Sequence, residues 1–243
     1  VVASIEARMS SSRLPGKVLM DVGGQPALTR LLRRLQRART LDDIVLATTT
    51  NAADDVLAAW AHEAGIAAYR GSEDDVLGRV VDAQRSRRAD IVVEITGDDI
   101  LTDPEIVDMA VATYDANACD VVSNTAVRGY PSGIGAQVFA LALLAEVAQT
   151  IDDPPVREHV SLYFYEHPER YRLIHLQPPP RWRMPEARTQ LDYPEDLAFL
   201  NAVYARLEPH YGDAFGTEEI VALLRREPEL LAINAHCREK AVR

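Results

Sequence analysis

Short apolar runs alternate with amphipathic stretches through the first 140 residues. Residues 1–5, 44–48, 91–95 and 121–123 are rich in β-branched side chains and predict buried strands. Between the first two, Leu28, Leu31, Leu32 and Leu35 fall at i, i+3, i+4 and i+7, which predicts a helix with its arginines on the other face. Val56, Leu57, Trp60, Ala61 and Ala64 repeat that period, and Gly65 is placed to end the helix. A third helix is expected after Asp103, which can cap it, with Pro104 at the first helical position. Strand and helix in alternation predict an α/β fold whose central sheet is mostly parallel, with helices on both faces. Ligands in such sheets bind at the carboxyl ends of the strands, which singles out the loops after Ile5, Thr48 and Ile95.

The second half is less regular. Residues 138–148 predict a helix, and two further helices are expected over 194–207 and 218–225. Pro154-Pro155 interrupts the pattern, and Pro178-Pro179-Pro180 reads as an exposed loop rather than a linker. No internal repeat or low-complexity tract is present. The expected layout is one domain over 1–207 followed by a helical appendage over 208–243.

Composition narrows the ligand. With 37 acidic against 26 basic residues in 243, the formal net charge is −11, which argues against a nucleic-acid coat built on phosphate neutralisation. An anionic ligand would therefore need its positive charge concentrated locally. The longest apolar stretch, 138–144, falls far short of the roughly 20 residues of a membrane span, and no basic-then-apolar leader opens the sequence. Cys119 and Cys237 form neither a disulfide framework nor a metal-ligand spacing. A cytoplasmic location is the resulting expectation.

The loop after the first strand supplies such a concentration. Ala7-Arg8-Met9-Ser10-Ser11-Ser12-Arg13-Leu14-Pro15-Gly16-Lys17 carries three cations and three hydroxyls. Backbone N–H groups and serines can cradle a polyphosphate there, while Arg8, Arg13 and Lys17 offset its charge. Neither the Walker sequence nor G-x-G-x-x-G is present, so spacing alone leaves an ordinary basic surface loop equally open.

This segment, with Leu19, Gly23-Gly24 and Pro26, resembles the opening of sugar-activating nucleotidyltransferases. It is most similar to cytidylyltransferases of the spore-coat polysaccharide biosynthesis protein F family, relatives of CMP-Kdo and CMP-sialic acid synthetases. The likeness continues through Ala47-Thr48-Thr49-Thr50-Asn51, Arg70-Gly71-Ser72-Glu73-Asp74-Asp75-Val76-Leu77, Ile95-Thr96-Gly97-Asp98 and Ser123-Asn124-Thr125. It extends to Arg157-Glu158-His159-Val160, Asp192-Tyr193-Pro194-Glu195-Asp196-Leu197 and Ile233-Asn234-Ala235-His236. The resemblance implies a nucleotide-diphospho-sugar transferase fold, transfer of CMP from CTP to a small anionic acceptor with release of pyrophosphate, dependence on Mg²⁺, and a homodimer.

By residue, the resemblance implies nucleotide contacts from Ala7, Arg8, Ser10, Ser11, Ser12, Arg13, Lys17, Thr49, Thr50, Ser72, Arg79 and Gly97. Arg13, Lys17 and Asp98 would act in the chemistry, and Asp98 with Asp192 would hold the metal. A carboxylate at the end of a central strand, facing a phosphate loop, suits Mg²⁺, which prefers oxygen ligands. Asp192 alone would read as a turn or helix cap beside Pro194. Acceptor contacts are expected from Asn124, Arg128, Gln137, Arg157 and His159, with Arg157 paired to Glu158 as its alternative and a structural hydrogen bond as that of His159. Asp99 reads as a solvated loop carboxylate, with a further metal or acceptor contact as its alternative. Typical members carry charged residues where this chain has Ser132, Gly135 and Gln137, and Gln where it has Glu6, so the acceptor pocket is expected to differ. A metal-dependent glycosyltransferase and a non-catalytic nucleotide-binding protein are the rival functions.

Overall fold

The computed structural model describes residues 1–239 and 242. In chain order its strands are β1 (Val2–Glu6), β2 (Asp21–Val22), β3 (Gln25–Pro26), β4 (Asp43–Thr49), β5 (Ala67–Gly71), β6 (Ile91–Thr96), β7 (Val121–Ser123), β8 (Gln137–Ala140) and β9 (Leu173–His175). The helices are α1 (Ala27–Leu35), α2 (Asp55–Glu63), α3 (Val76–Ser86), α4 (Pro104–Ala116), α5 (Leu141–Thr150), α6 (Pro154–Glu158), α7 (Leu162–Glu166), α8 (Pro194–Tyr211) and α9 (Thr217–Arg226). Seven strands form one sheet in the order β5-β4-β1-β6-β8-β7-β9, while β2 and β3 pair as a separate antiparallel ribbon. Every pairing in the large sheet is parallel except those of β8 with β6 and β7.

Side-chain alternation along the central strands divides the core in two. Ala3 and Ile5 of β1, with Val93 and Ile95 of β6, face α1, α2, α4, α8 and α9. Val2 and Val92 face α3, α5, α6 and α7 on the opposite side. Helices thus cover both faces, as the alternation predicts. Because the period is two, Ser4, Glu6 and Glu94 fall on the second face, where burial makes each polar atom expensive to leave unpaired.

Three expectations are corrected. Residues 138–148 are not one helix: β8 takes Gln137–Ala140 and α5 begins at Leu141. Val138 and Phe139 are both fully buried, so this strand lacks the alternation that separates strand from helix. The arginines of α1 do not all face solvent. Arg30 and Arg34 are completely buried beneath the chain's last third. Arg34 donates to the carbonyls of Thr102 and Phe215 at 3.0 and 2.8 Å, and Arg30 reaches Glu208 at 2.6 Å and Asp213 at 2.8 Å. Asp99 is buried as well, as described below.

The expected boundary at 207/208 falls inside α8, and Ile220, Val221, Leu223 and Leu224 of α9 join the same core as β1. Among the described residues, no helix is long and apolar enough to cross a membrane.

Candidate functional site

The first loop owes its shape to two local constraints. Gly16 adopts φ +73°, a left-handed conformation natural to glycine, and its N–H donates to Met9 O at 2.9 Å, closing the loop on itself. Leu14 and Val18 are buried and pin it to the core, which leaves Lys17 at the start of a single 3₁₀ turn, Lys17–Leu19. From the other side, Asp54 accepts the Met9 N–H at 2.7 Å and the Thr49 hydroxyl. Glu73 accepts hydrogen bonds from Ser10 and Asn51 and lies 3.6 Å from Arg8. Those hydroxyl and amide donors hold the Glu73 carboxyl below its ordinary range.

A cavity of ≈ 280 Å³ opens over this loop. Ala7, Arg8, Ser10, Ser11, Ser12, Arg13 and Lys17 all line it, as do Arg79, Gly97, Asp98 and His159. Gly97 is needed for closeness: a Cβ there would stand 2.8 Å from Glu6 O and 3.0 Å from the Ala7 Cβ. Arg79 is buried and donates to the Ser72 carbonyl. Thr49 serves the loop through Asp54, and Ser72 shapes the turn before α3 by accepting the Asp75 N–H at 3.1 Å. Thr50 is exposed, its N–H donating to Gly71 O at 3.0 Å.

Asp98 and Asp192, far apart in the chain, meet here. The Leu191 N–H donates to the Asp98 carbonyl at 3.0 Å, which draws the segment before α8 against the end of β6. The Lys17 ammonium then lies between the two carboxylates, 2.6 Å from Asp98 Oδ2 and 2.7 Å from Asp192 Oδ1. Arg13 approaches the same Asp192 oxygen at 2.5 Å, and one of its amino groups, Nη1, is buried without a partner. Arg188 binds the other Asp192 oxygen at 2.7 Å and Asp196 at 3.1 Å. Burial opposes charge on both Lys17 and Asp192. The opposite charges win: the ammonium pKa is raised by Asp98 and Asp192, and the Asp192 carboxyl is lowered by Lys17, Arg188 and Arg13.

A second cavity of ≈ 900 Å³ lies beyond Asp98, which lines the first cavity while its neighbour Asp99 lines this one. Asn124, Arg128 and Arg188 line it together with the turn around Asn234. Asp99 is not solvated: its Oδ1 is buried without a partner, and burial and then Asp98 push its carboxyl well above the usual range. Asn124 spends its side-chain oxygen on the Ala136 N–H at 2.8 Å. Two expected acceptor residues are engaged elsewhere. Gln137 accepts from Ser161 at 2.9 Å and from Tyr165, and Arg157 binds the Ala148 carbonyl at 2.8 Å and Asp75 at 3.4 Å.

Sequence reasoning missed Arg188, Asp196, Asn234 and Glu73 as site components. Asp196 accepts the backbone N–H groups of Asp192 and Tyr193 and the Asn234 amide, so it fixes the start of α8 and with it Asp192. The Pro194-Glu195-Asp196 run is its only sequence signal, and Arg188 has none.

Chemically, the site pairs a cation-rich loop with two converging carboxylates, and Asp99 and Arg188 beside them line the larger cavity. Residues 2–211 match the model of the cytidylyltransferase family. Spore coat polysaccharide biosynthesis protein SpsF of Bacillus subtilis is 32% identical over 231 residues, spanning 93% of this chain and 94% of that protein. A cytidylyltransferase from Leptospira borgpetersenii superposes with a TM-score of 0.89 at 26% identity, over 99% of both chains. A CMP:2-keto-3-deoxy-manno-octonic acid synthetase complexed with CTP shares the fold, with a TM-score of 0.62 at 20% identity over 84% of this chain and 98% of that one. With the family model matching most of its length, the chain belongs to the cytidylyltransferase family.

Proposed function

We propose that the protein transfers CMP from CTP to a small anionic acceptor and releases pyrophosphate. The observation that carries this reading is the meeting of Asp98, Asp192 and Lys17 at the first cavity, with Asp99 and Arg188 beside them lining the second. The triphosphate lies over the first loop, where serine hydroxyls and backbone N–H groups bind it and Arg8 and Arg13 balance its charge. An oxygen of the acceptor, held in the larger cavity by Arg128 and Asn124, attacks the α-phosphorus in line. The bond to the β-phosphate oxygen breaks and pyrophosphate leaves. Lys17 and Arg13 stabilise charge on the transferred and departing groups, so no covalent enzyme nucleophile is required.

The residues present fit Mg²⁺. Asp98 and Asp192 offer only oxygen, and both already converge on one positive atom, the Lys17 ammonium. When bound, the ion would be held by Asp98 and Asp192 and would neutralise part of the phosphate charge. A homodimer belongs to the same reading, and sedimentation equilibrium tests it.

The deciding experiment incubates the protein with each nucleoside triphosphate, Mg²⁺ and a panel of sugar acids, phosphates and phosphonates, and reads pyrophosphate release. Release that depends on CTP and on one class of acceptor supports the reading. Nucleotide binding without release across the panel would leave a binding protein in its place.

A further inference from the structure

Away from the Lys17 cluster, three metal-ligating side chains meet at the start of α8. The Glu195 carboxylate, the His236 imidazole and the Cys237 thiol each offer one ligand atom, and these atoms all lie within 4.8 Å of one another. His236 Nε2 is 3.4 Å from Glu195 Oε1. We propose that this triad is a binding site for a borderline-soft divalent transition cation, Zn²⁺ foremost.

The donor set selects the ion. Thiolate and imidazole favour Zn²⁺ and its neighbours in the first transition row, whereas Mg²⁺ takes oxygen and leaves sulfur alone. This separates the triad from Asp98 and Asp192, which present oxygen only. Binding displaces the thiol proton to solvent and forms the sulfur–metal bond. Three protein ligands leave the fourth tetrahedral position to water, and the exposed His236 ring gives the ion a route in from solvent.

The backbone that carries these ligands is already fixed. Asn234 donates to the Arg188 carbonyl at 3.1 Å and to Asp196 at 2.8 Å. The Cys237 N–H returns to the Asn234 carbonyl at 3.0 Å, and the Tyr193 hydroxyl donates to the Arg238 carbonyl at 3.2 Å. Glu195 stands in the first turn of α8, whose start Asp196 caps. Little chain entropy is therefore left to lose when the ion arrives. Asn234, Cys237 and Arg238 also line the larger cavity, so the ion would fasten one of its walls to α8.

The test treats the full chain with chelator, removes the chelator, and titrates Co²⁺ while recording the near-ultraviolet thiolate-to-cobalt charge-transfer absorption. The expected result is a band that saturates at one Co²⁺ per chain and is discharged by Zn²⁺. Cys237→Ser abolishes it, Cys119→Ser keeps it, and His236→Ala weakens Co²⁺ binding at least tenfold. No band in the wild-type chain, or a band unchanged in Cys237→Ser, overturns the site. If circular dichroism shows Cys237→Ser unfolded, His236→Ala decides alone, because its ring is exposed: unchanged affinity there also overturns the proposal. The readout is spectroscopic and independent of CMP transfer, so its failure and that of the proposed reaction are distinguishable.

Discussion

Two groups of shielded cations, one in α1 and one around Asp98 and Asp192, differ in their partners. Arg30 and Arg34 are spent inside the fold. Arg34 is bound to main-chain carbonyls and lies over the Phe215 ring at 4.8 Å, while Arg30 lies over the Tyr204 ring at 4.4 Å and joins Glu208 and Asp213. Arg13, Lys17 and Arg188 bind side-chain carboxylates at a cavity edge, and Arg13 keeps an amino group unpartnered. A cation held by buried carbonyls and a ring, as Arg34 is, cannot exchange partners without unfolding its surroundings. One held by carboxylates at a pocket can pass to a phosphate when a nucleotide enters. Neither burial nor charge marks a functional cation; the exchangeability of its partners does.

The comparison breaks most visibly at Arg34. Arg34→Ala should cost at least ~3 kcal/mol in urea unfolding, since it leaves a cavity and strips buried carbonyls of their donor. Arg34→Met should recover the packing share only. A midpoint within error of wild type would mean that Arg34 is a bystander.

A buried carboxylate reached by neither cation group sharpens the contrast through pH. Burial pushes Glu94 up to about 7, partly offset by a Ser161 hydrogen bond. Since its native pKa lies above the ordinary value, the stability it favours is complete at low pH and is lost as pH rises through about 7. The loss should approach ~3 kcal/mol, at 1.36 kcal/mol per pH unit. Glu94→Gln should flatten this limb in chemical denaturation between about pH 4 and about pH 8. A limb that keeps its slope in the variant assigns it to another group.

On the exchangeable side, Asp98→Asn should lower turnover about a hundredfold, ~2.7 kcal/mol, with little movement of the urea midpoint. Lys17→Ala should lower it at least about tenfold, ~1.4 kcal/mol. Wild-type turnover in either variant, read by pyrophosphate release, removes that residue from the chemistry. The smallest effect belongs to a cation of neither group: Arg85, half exposed and 3.3 Å from Asp82 on one helix face. Arg85→Ala should shift stability by no more than ~0.5 kcal/mol.

How far these regions were legible in sequence follows from the same distinction. The β-branched runs revealed β1, β4, β6 and β7 because strands buried on both faces stand out from their surroundings. β5 and β9 are half exposed at the sheet edges and left no such mark. The first loop announced itself through clustered cations and hydroxyls, and eleven of the expected residues line one cavity. Asp192 was legible only through resemblance, since the Leu191–Asp98 backbone bond that brings it to Lys17 depends on tertiary structure. Arg30 and Arg34 misled because the leucine stripe of α1 accounts for one apolar face and says nothing of the second cover laid down by α8 and Phe215. Asp99 misled for a similar reason: nothing local tells a solvated loop carboxylate from one enclosed by a segment ninety positions later.

That second cover ties together parts of the chain that synthesis separates. The guanidinium groups of α1 find part of their acceptors at 208, 213 and 215, so these side chains cannot complete their hydrogen bonds until the end of the chain has arrived. In native-state hydrogen exchange, the amides of α1 and α9 should therefore open together as one cooperative unit. A nascent chain stopped at 207 would offer these arginines the carbonyls of Val22, Gly23, Leu101 and Thr102 but not Glu208, Asp213 or Phe215.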